Sequence, residues 1–398
     1  MSDPLNSSFD LAKGLAEKKQ QHLYRKRIEV QSPQGAEIRV EGRDYLNFCS
    51  NDYLGLANHP DLLQSFKKAA DTHGVGSGAS HLINGHSSAH QNLELELAEF
   101  TGRDRALLFS TGYMANLGVI SALCGRNDAV IEDKLNHASL IDAAILSRAT
   151  LKRYRHNDVA HLDQTLTNSK GNRKLVVTDG VFSMDGDIAP MTELAAVAKQ
   201  HQAWLMVDDA HGIGFLGEQG TGTLEQFNLS QQDVPVLMGT LGKALGTFGA
   251  FIAGSEELIE TLIQNARTYI YTTALPPAVA AATRTSLGLI KTESWRRQHL
   301  ADLISTFRSG AEQLGLDLMP STTPIQPLQI GNAARAMAIS EQLREKGFLI
   351  SAIRPPTVPE GTSRLRITLT AGHSHQHIEA LLAALEQACK IAPETEQI

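Results

Sequence analysis

Beyond a helix-like stretch at Ser88–Phe100, short runs rich in valine, leucine and isoleucine alternate with longer stretches whose apolar residues recur at helical spacing. Strands buried on both faces lose the apolar-polar alternation of a half-exposed strand, while the helices covering them keep a polar side. The pattern predicts strands at Arg105–Ser110, Ala129–Glu132, Leu151–Tyr154, Lys174–Thr178, Trp204–Val207, Val234–Gly239 and Phe248–Ala253. Between and after them it predicts helices at Tyr113–Leu123, Ser139–Ser147, Val159–Leu166, Met191–His201 and Glu256–Asn265. Such alternation makes an α/β fold, with a mostly parallel sheet joined by helical crossovers and ligands bound beyond the carboxyl ends of its strands.

The flanks read differently. Upstream, the mixed-charge Leu11–Val30, with Lys18, Lys19, Arg25, Lys26 and Arg27, suggests an exposed amphipathic helix running into an extended link. A short strand at Tyr45–Phe48 and a helix at Asp61–His73 follow, then a flexible Gly74–Ser80. From Pro276, long helices at Ala278–Ile290 and Trp295–Leu314 precede strands at Ile325–Ile330, Phe348–Ile353 and Arg364–Leu369, with helices at Ala333–Lys346 and His375–Cys389. The expected division is an N-terminal helix and link over 1–45, a large domain over 46–275 and a smaller α+β domain over 276–398.

Composition narrows the class of function. At 398 residues and 42% hydrophobic, the chain can bury a large core, and its net charge of −7 gives no basic surface for nucleic acid or membrane. Cys49, Cys124 and Cys389 lack metal-ligand spacing and suit a reducing, cytoplasmic compartment. Met1–Asp10 has no export signal, and the apolar run Leu275–Ile290 is interrupted by Pro276, Pro277 and Arg284, so neither secretion nor a membrane span is expected. His373, His375 and His377 stand two apart, a spacing that does not share a helix face, and no metal site is expected.

Candidate chemistry gathers at the predicted strand ends. Lys243 lies among small residues, Gly239-Thr240-Leu241-Gly242-Lys243-Ala244-Leu245-Gly246, just after an apolar run. Desolvation there lowers an amine's pKa and favours the free base that attacks a carbonyl. A phosphate-cradling P-loop is excluded, because Leu237 replaces its first glycine and Ala244 its hydroxyl. Gly212-Ile213-Gly214-Phe215-Leu216-Gly217 matches a dinucleotide-binding pattern, the signature of an NAD-dependent oxidoreductase, but no apolar helix follows it and no strand ends in an acid at the required distance. Gly112 and Tyr113 open a helix after a strand and offer free amides to a phosphate. His137 stands at another helix start, Ser183 in a strand-end turn beside Asp179 and Asp185, and Asp208 at a strand tip with His211 beyond it.

These residues resemble the pyridoxal-phosphate-dependent α-oxoamine synthases over nearly the whole chain. The resemblance is carried by Ser50-Asn51-Asp52-Tyr53-Leu54-Gly55-Leu56, Asn136-His137-Ala138-Ser139, Gly180-Val181-Phe182-Ser183-Met184-Asp185-Gly186, Val207-Asp208-Asp209-Ala210-His211-Gly212 and Gly239-Thr240-Leu241-Gly242-Lys243, in family order. Asp179, where relatives often have glutamate, and Ala79-Ser80-His81 depart from the pattern. The resemblance implies a fold-type I transferase with pyridoxal 5'-phosphate on Lys243, Asp208 facing the ring nitrogen, His137 stacked on the ring and His211 on its hydroxyl. It implies a phosphate held by Gly112, Tyr113, Ser183 and Thr240, with Thr272 or Thr273 reaching the phosphate of a partner subunit in a homodimer.

Arg354-Pro355-Pro356-Thr357-Val358-Pro359 and Arg364-Leu365-Arg366 resemble the branch serving biotin synthesis, where L-alanine condenses with a pimeloyl thioester of coenzyme A or acyl carrier protein and loses CO2. There Arg366 and Asn51 would grip the amino-acid carboxylate, and Thr357 and Arg25 would contact substrate. Two alternatives are a sister synthase that joins glycine to acetyl-CoA and a non-catalytic paralogue acting as a binding subunit. Lys243 argues against the second.

Overall fold

The computed structural model describes residues 10–20 and 23–391, so the expectations for 1–9 and for Gln21 and His22 lie outside the described residues. The strands, in chain order, are β1 (Glu37–Val40), β2 (Arg43–Asn47), β3 (Arg105–Phe109), β4 (Ala129–Asp133), β5 (Thr150–Tyr154), β6 (Lys174–Asp179), β7 (Trp204–Asp208), β8 (Val236–Thr240), β9 (Ala250–Gly254), β10 (Ile325–Gly331), β11 (Phe348–Leu349), β12 (Ser351–Ile353) and β13 (Ser363–Thr368).

The apolar runs of the first half form one seven-stranded sheet in the order β3-β9-β8-β7-β6-β4-β5. Strands β4 to β8 pair in parallel, and β4, β6, β8 and β9 are buried almost throughout, as two helix-covered faces require. Register sets Asp179 at the tip of β6 beside Asp208 at the tip of β7, and Asp208 beside Met238 of β8. The helices between them sit where the periodicity puts them, with Glu256–Asn265 matching to the residue. That helix is capped by Ser255, whose Oγ accepts from the Leu258 amide at 3.2 Å, and Glu256 and Glu257 face its positive end.

One expectation fails in a way that matters to the site. No helical crossover joins β8 to β9; β9 runs antiparallel to both β8 and β3. The connection closes on itself instead, with Leu241 N on Gly249 O and Thr247 N on Leu241 O, both at 2.9 Å. Gly246 and Gly249 carry positive φ of 68° and 116°, which a side chain would resist. Lys243 therefore rides on a tight reversal between the two strands.

The flanks also differ in detail. The N-terminal helix spans Leu11–Gln20 with no buried residue, and Leu23 to Val30 forms no helix, in keeping with the expected link, with Val30 bridging Val40. Without an apolar stripe to bury, packing cannot extend that helix. Strand β1 was not anticipated; its Ile38 and Val40 are buried while Glu37 and Arg39 are exposed. The predicted single strand Phe348–Ile353 divides, because β11 pairs in parallel with β2 and β12 antiparallel with β13. A continuous apolar core joins Tyr53, Leu54, Ile213, Leu241 and Leu245 to Leu365 and Ile367, so the loops over the strand ends are packed against β13. No helix among the described residues is long and apolar enough to cross a membrane.

Candidate active site

The strand tips and the β8–β9 reversal bring distant parts of the chain into two hydrogen-bonded lines. The first starts at Lys243 Nζ, 3.0 Å from His211 Nε2; His211 Nδ1 lies 2.5 Å from the Tyr53 hydroxyl. Tyr53 reaches Asn51 Oδ1 at 3.5 Å, and Arg366 donates to the same oxygen at 3.2 Å. Arg366 is further held by Nε donating to Ser183 O at 2.7 Å and by a bond to Thr368 Oγ1 at 3.0 Å. Its guanidinium is thus pointed by three separate elements before any ligand arrives.

The second line runs along the tips of β4, β6 and β7. Asp208 accepts from Asn116 Nδ2 at 2.8 Å and from the Ala210 amide at 3.1 Å. Asn116 also donates to Ser139 Oγ at 2.9 Å, and Ser139 lies 2.7 Å from His137 Nδ1. The His137 amide donates to Asp179 at 2.9 Å. His137 caps the helix Ala138–Ser147 through Nδ1, and the residue is exposed.

Electrostatics separate these groups. Burial lowers the Lys243 amine to about 8, although Asp208, Asp179 and Asp209 pull the other way. Roughly one lysine in ten is then neutral at pH 7, against about one in several thousand for an exposed side chain. His211 is held well below the usual imidazole range, first by burial and then by the charges of Lys243, Arg366 and His137. As a neutral ring it can donate at one nitrogen and accept at the other, which suits its place between Lys243 and Tyr53. Asp179 is pushed well above the usual carboxylate range by burial and by the charge on Asp208. Asp209, facing away, is raised by burial to about 8 and braces the turns behind the site by accepting from the Thr223 amide at 2.7 Å.

The expected phosphate groups follow the ends of three strands, Gly112 and Tyr113 after β3, Ser183 after β6 and Thr240 at the end of β8. The helix Gly112–Leu123 is capped by Thr111, whose Oγ1 accepts from Met114 N at 3.2 Å, while the amides of Gly112 and Tyr113 have no carbonyl partner inside the helix. A Cβ at Gly112 would lie 2.5 Å from Met238 Cε, so the helix starts in side-chain contact with β8. Thr240 Oγ1 binds Gly249 O at 3.2 Å at the base of the Lys243 turn, and Ser183 is half-buried. The tip of Tyr113 turns outward onto Asp142.

Other expected residues are not gathered here. Arg25 and Thr357 are exposed, Thr357 in a turn closed by its amide on Arg354 O at 3.1 Å. Thr272 and Thr273 lie beside the glycine loop, where Thr273 bridges Ser80. The Gly212–Gly217 segment forms turns and starts no helix, which removes the dinucleotide reading. Of the three C-terminal histidines, His373 is buried, stacked on Phe48 at 4.4 Å and bonded to Thr370 through Nδ1. It is a core residue.

Tyr53, Asn116 and the hydroxyl of Ser139 are the functional groups that sequence reasoning left without a role. Tyr53 and Ser139 fall inside quoted motifs. Asn116 had one signal, an amide within the apolar helix Gly112–Leu123, where it is 1% exposed.

The profile of the family described as aminotransferase class I and II matches residues 43–385. An 8-amino-7-oxononanoate synthase of Saccharophagus degradans is 61% identical over 383 residues, 96% of each chain, and one of Methylococcus capsulatus is 61% identical over 381 residues, 96% of this chain and 98% of that one. Among solved structures, a serine palmitoyltransferase of Sphingomonas wittichii superposes with a TM-score of 0.92 at 35% identity, covering 98% of this chain and 100% of that one. A variant of the S. paucimobilis enzyme, solved with a bound PLP–myriocin aldimine, gives 0.91 at 32% identity over 98% and 99% of the two chains. The α/β fold with its mostly parallel sheet is the fold-type I transferase architecture of these relatives, and the chain belongs to the aminotransferase class I and II family, on the branch occupied by the 8-amino-7-oxononanoate synthases.

Proposed function

We propose that this chain condenses L-alanine with a pimeloyl thioester of coenzyme A or acyl carrier protein, using pyridoxal 5'-phosphate and releasing CO2, the free thiol carrier and 8-amino-7-oxononanoate. The observation that carries the proposal is the convergence of a lysine amine lowered to about 8 with a braced aspartate and a pre-aimed arginine. The name shared by relatives at 61% identity supports the choice of substrates.

The donor set fits the cofactor. Beside Asp208 the Oδ1 of Asn116 is buried with no partner, a polar group that a bound cofactor could meet. Gly112, Tyr113, Ser183 and Thr240 would hold the phosphate, Asp208 the ring nitrogen and His211 the ring hydroxyl. Thr272 and Thr273 would serve the phosphate of a second copy in a homodimer. The exposed Val75, Ile83 and Tyr271 support such a partner, because apolar side chains this open gain by being covered. When bound, the cofactor supplies an aldehyde that captures amines and a protonated ring that stores the electron pair released at Cα.

The chain's own residues then divide the work. Asp208, held by Asn116 and the Ala210 amide, would bond the ring nitrogen. Arg366 and Asn51 bind the carboxylate of alanine, which a planar guanidinium can grip with two bonds. Lys243, in its neutral form, takes the Cα proton. His137 keeps Nδ1 on Ser139, so Nε2 is the nitrogen left to meet the substrate carbonyl. Arg25 and Thr357 would contact substrate from the exposed segments that carry them. The free, half-buried or buried cysteines support a cytoplasmic setting.

The deciding experiment compares alanine and glycine, each with pimeloyl-CoA, pimeloyl acyl carrier protein and acetyl-CoA, and weighs the products by mass spectrometry. Fastest turnover of alanine with a pimeloyl thioester is expected. One methyl group in an apolar space discriminates by about 1–3 kcal/mol, so slow use of glycine is compatible with the proposal. Fastest turnover of glycine with acetyl-CoA would move the chain to the sister activity.

A further inference from the structure

A cluster of charge lies just outside the site, at the junction of β4, β5 and the turn after β6. His156, beyond the end of β5, places Nδ1 3.0 Å from Asp133 Oδ1 at the tip of β4. Its Nε2 lies 2.8 Å from Asp187 Oδ2, at the far end of the turn that follows β6. Asn157 doubles the link, with its amide on Asp133 Oδ2 at 2.8 Å and its side chain on Asp187 Oδ2 at 2.7 Å. Phe182 packs edge-on against the imidazole at 4.4 Å. Both ring nitrogens are engaged by carboxylates, so both carry protons and the ring is an imidazolium. Burial pulls the group down, but the two carboxylates outweigh it and raise it to about 10. His156, Asp185 and Asp187 are close enough to ligate a cation. Yet the imidazolium is itself the cation here, and Asp185 is already paired with Arg364.

The turn held by this clamp is the one that aims Arg366. Its two arms pair through Val181 and Ile188, and between them lie Ser183, whose carbonyl accepts from Arg366 Nε at 2.7 Å, and Asp185, which pairs with Arg364. The far side of the turn is pinned as well: Gly186 O accepts from Ser321 Oγ at 2.9 Å and Thr323 Oγ1 at 3.0 Å. Asp133 sits on the rigid sheet with no exposed surface. The charge on His156 therefore ties the turn to the sheet, and the turn's carbonyl sets the guanidinium.

We propose that His156 is a positioning residue for amino-acid recognition: as a cation bridging Asp133 and Asp187 it holds the Ser183 carbonyl that orients Arg366 toward the substrate carboxylate. The proposal rests on the reading of Arg366 as the carboxylate-binding group. With the holoenzyme, His156→Gln should raise the KM for alanine about tenfold or more, since a small displacement of a positioning group is costly. The KM for the pimeloyl thioester, kcat and cofactor occupancy should stay within about twofold. Asp187→Asn should give the same split at least as strongly, since it disturbs the Asn157 bond as well, and the double variant should be no worse than Asp187→Asn alone. An unchanged alanine KM in the folded single variants overturns the proposal, and so does a loss spread evenly over kcat, both KM values and cofactor occupancy. If His156→Gln does not fold, Asp187→Asn decides alone. Arg366→Gln is measured beside them: if it leaves the alanine KM unchanged while the His156 variant raises it, the Arg366 reading fails and the clamp acts through another group.

Discussion

The depressed amine of Lys243 makes a quantitative prediction for the apoenzyme. An exposed lysine titrates near 10.5, and burial brings this one to about 8, a cost to the charged form of about 3 kcal/mol. The rate at which Lys243 captures pyridoxal should therefore rise about tenfold per pH unit up to pH 7, bend near 8 and level off above it, as the free-base fraction does. Trapping with borohydride and quantifying the Lys243 peptide by mass spectrometry reads that rate directly. The neighbours fix the sign of two further shifts. Asp208 raises the amine, so Asp208→Asn should move the bend to lower pH; Arg366 lowers it, so Arg366→Gln should move it higher. A bend near 10.5 in the native protein, or shifts of the opposite sign, would refute the desolvation argument and with it the physical basis for Lys243 as the reactive amine.

Asn116→Leu removes a donor from Asp208 and from Ser139 together, and should weaken cofactor binding by about 1–3 kcal/mol, roughly 5- to 150-fold, measured by titrating the apoenzyme with pyridoxal phosphate. Gly186→Ala forces a side chain into φ of +70° with its Cβ 2.5 Å from Ile325 O; it should cost at least about 1–2 kcal/mol and lower the melting temperature. Glu94, raised by burial from 4.5 to about 7, ionises later in the folded chain than in the unfolded one, so its contribution to stability should fall between those pH values and stay flat above them. Glu94→Gln keeps an acceptor for the Leu108 amide, now 2.9 Å away, and should flatten that part of the melting-temperature profile between pH 4.5 and 7, as calorimetry across that range would show.

What the amino-acid order determines by itself is largely local. Runs such as Val234–Met238 can only be strands covered on both faces, and Ser255 followed by two glutamates can only begin a helix, so the sheet and helices of the first half were legible to within a residue or two. Strand ends were legible too, and with them the positions of Asp208 at the tip of β7 and of Lys243, His137 and His211 in the turns beyond strands, where a parallel sheet offers its binding edge. The direction of β9 was not, since an apolar run has no polarity along its length and only pairing on both sides with β3 and β8 fixes it. Nor was the division of 348–353 between two sheets, which depends on where β2 and β13 come to lie. Tertiary structure alone brought Tyr53 onto His211 and Asn116 onto Asp208, contacts spanning 158 and 92 positions. It also set the depression of Lys243, because a pKa depends on the water that packing removes and on charges folded in from elsewhere, and neither quantity is written in any short stretch of chain.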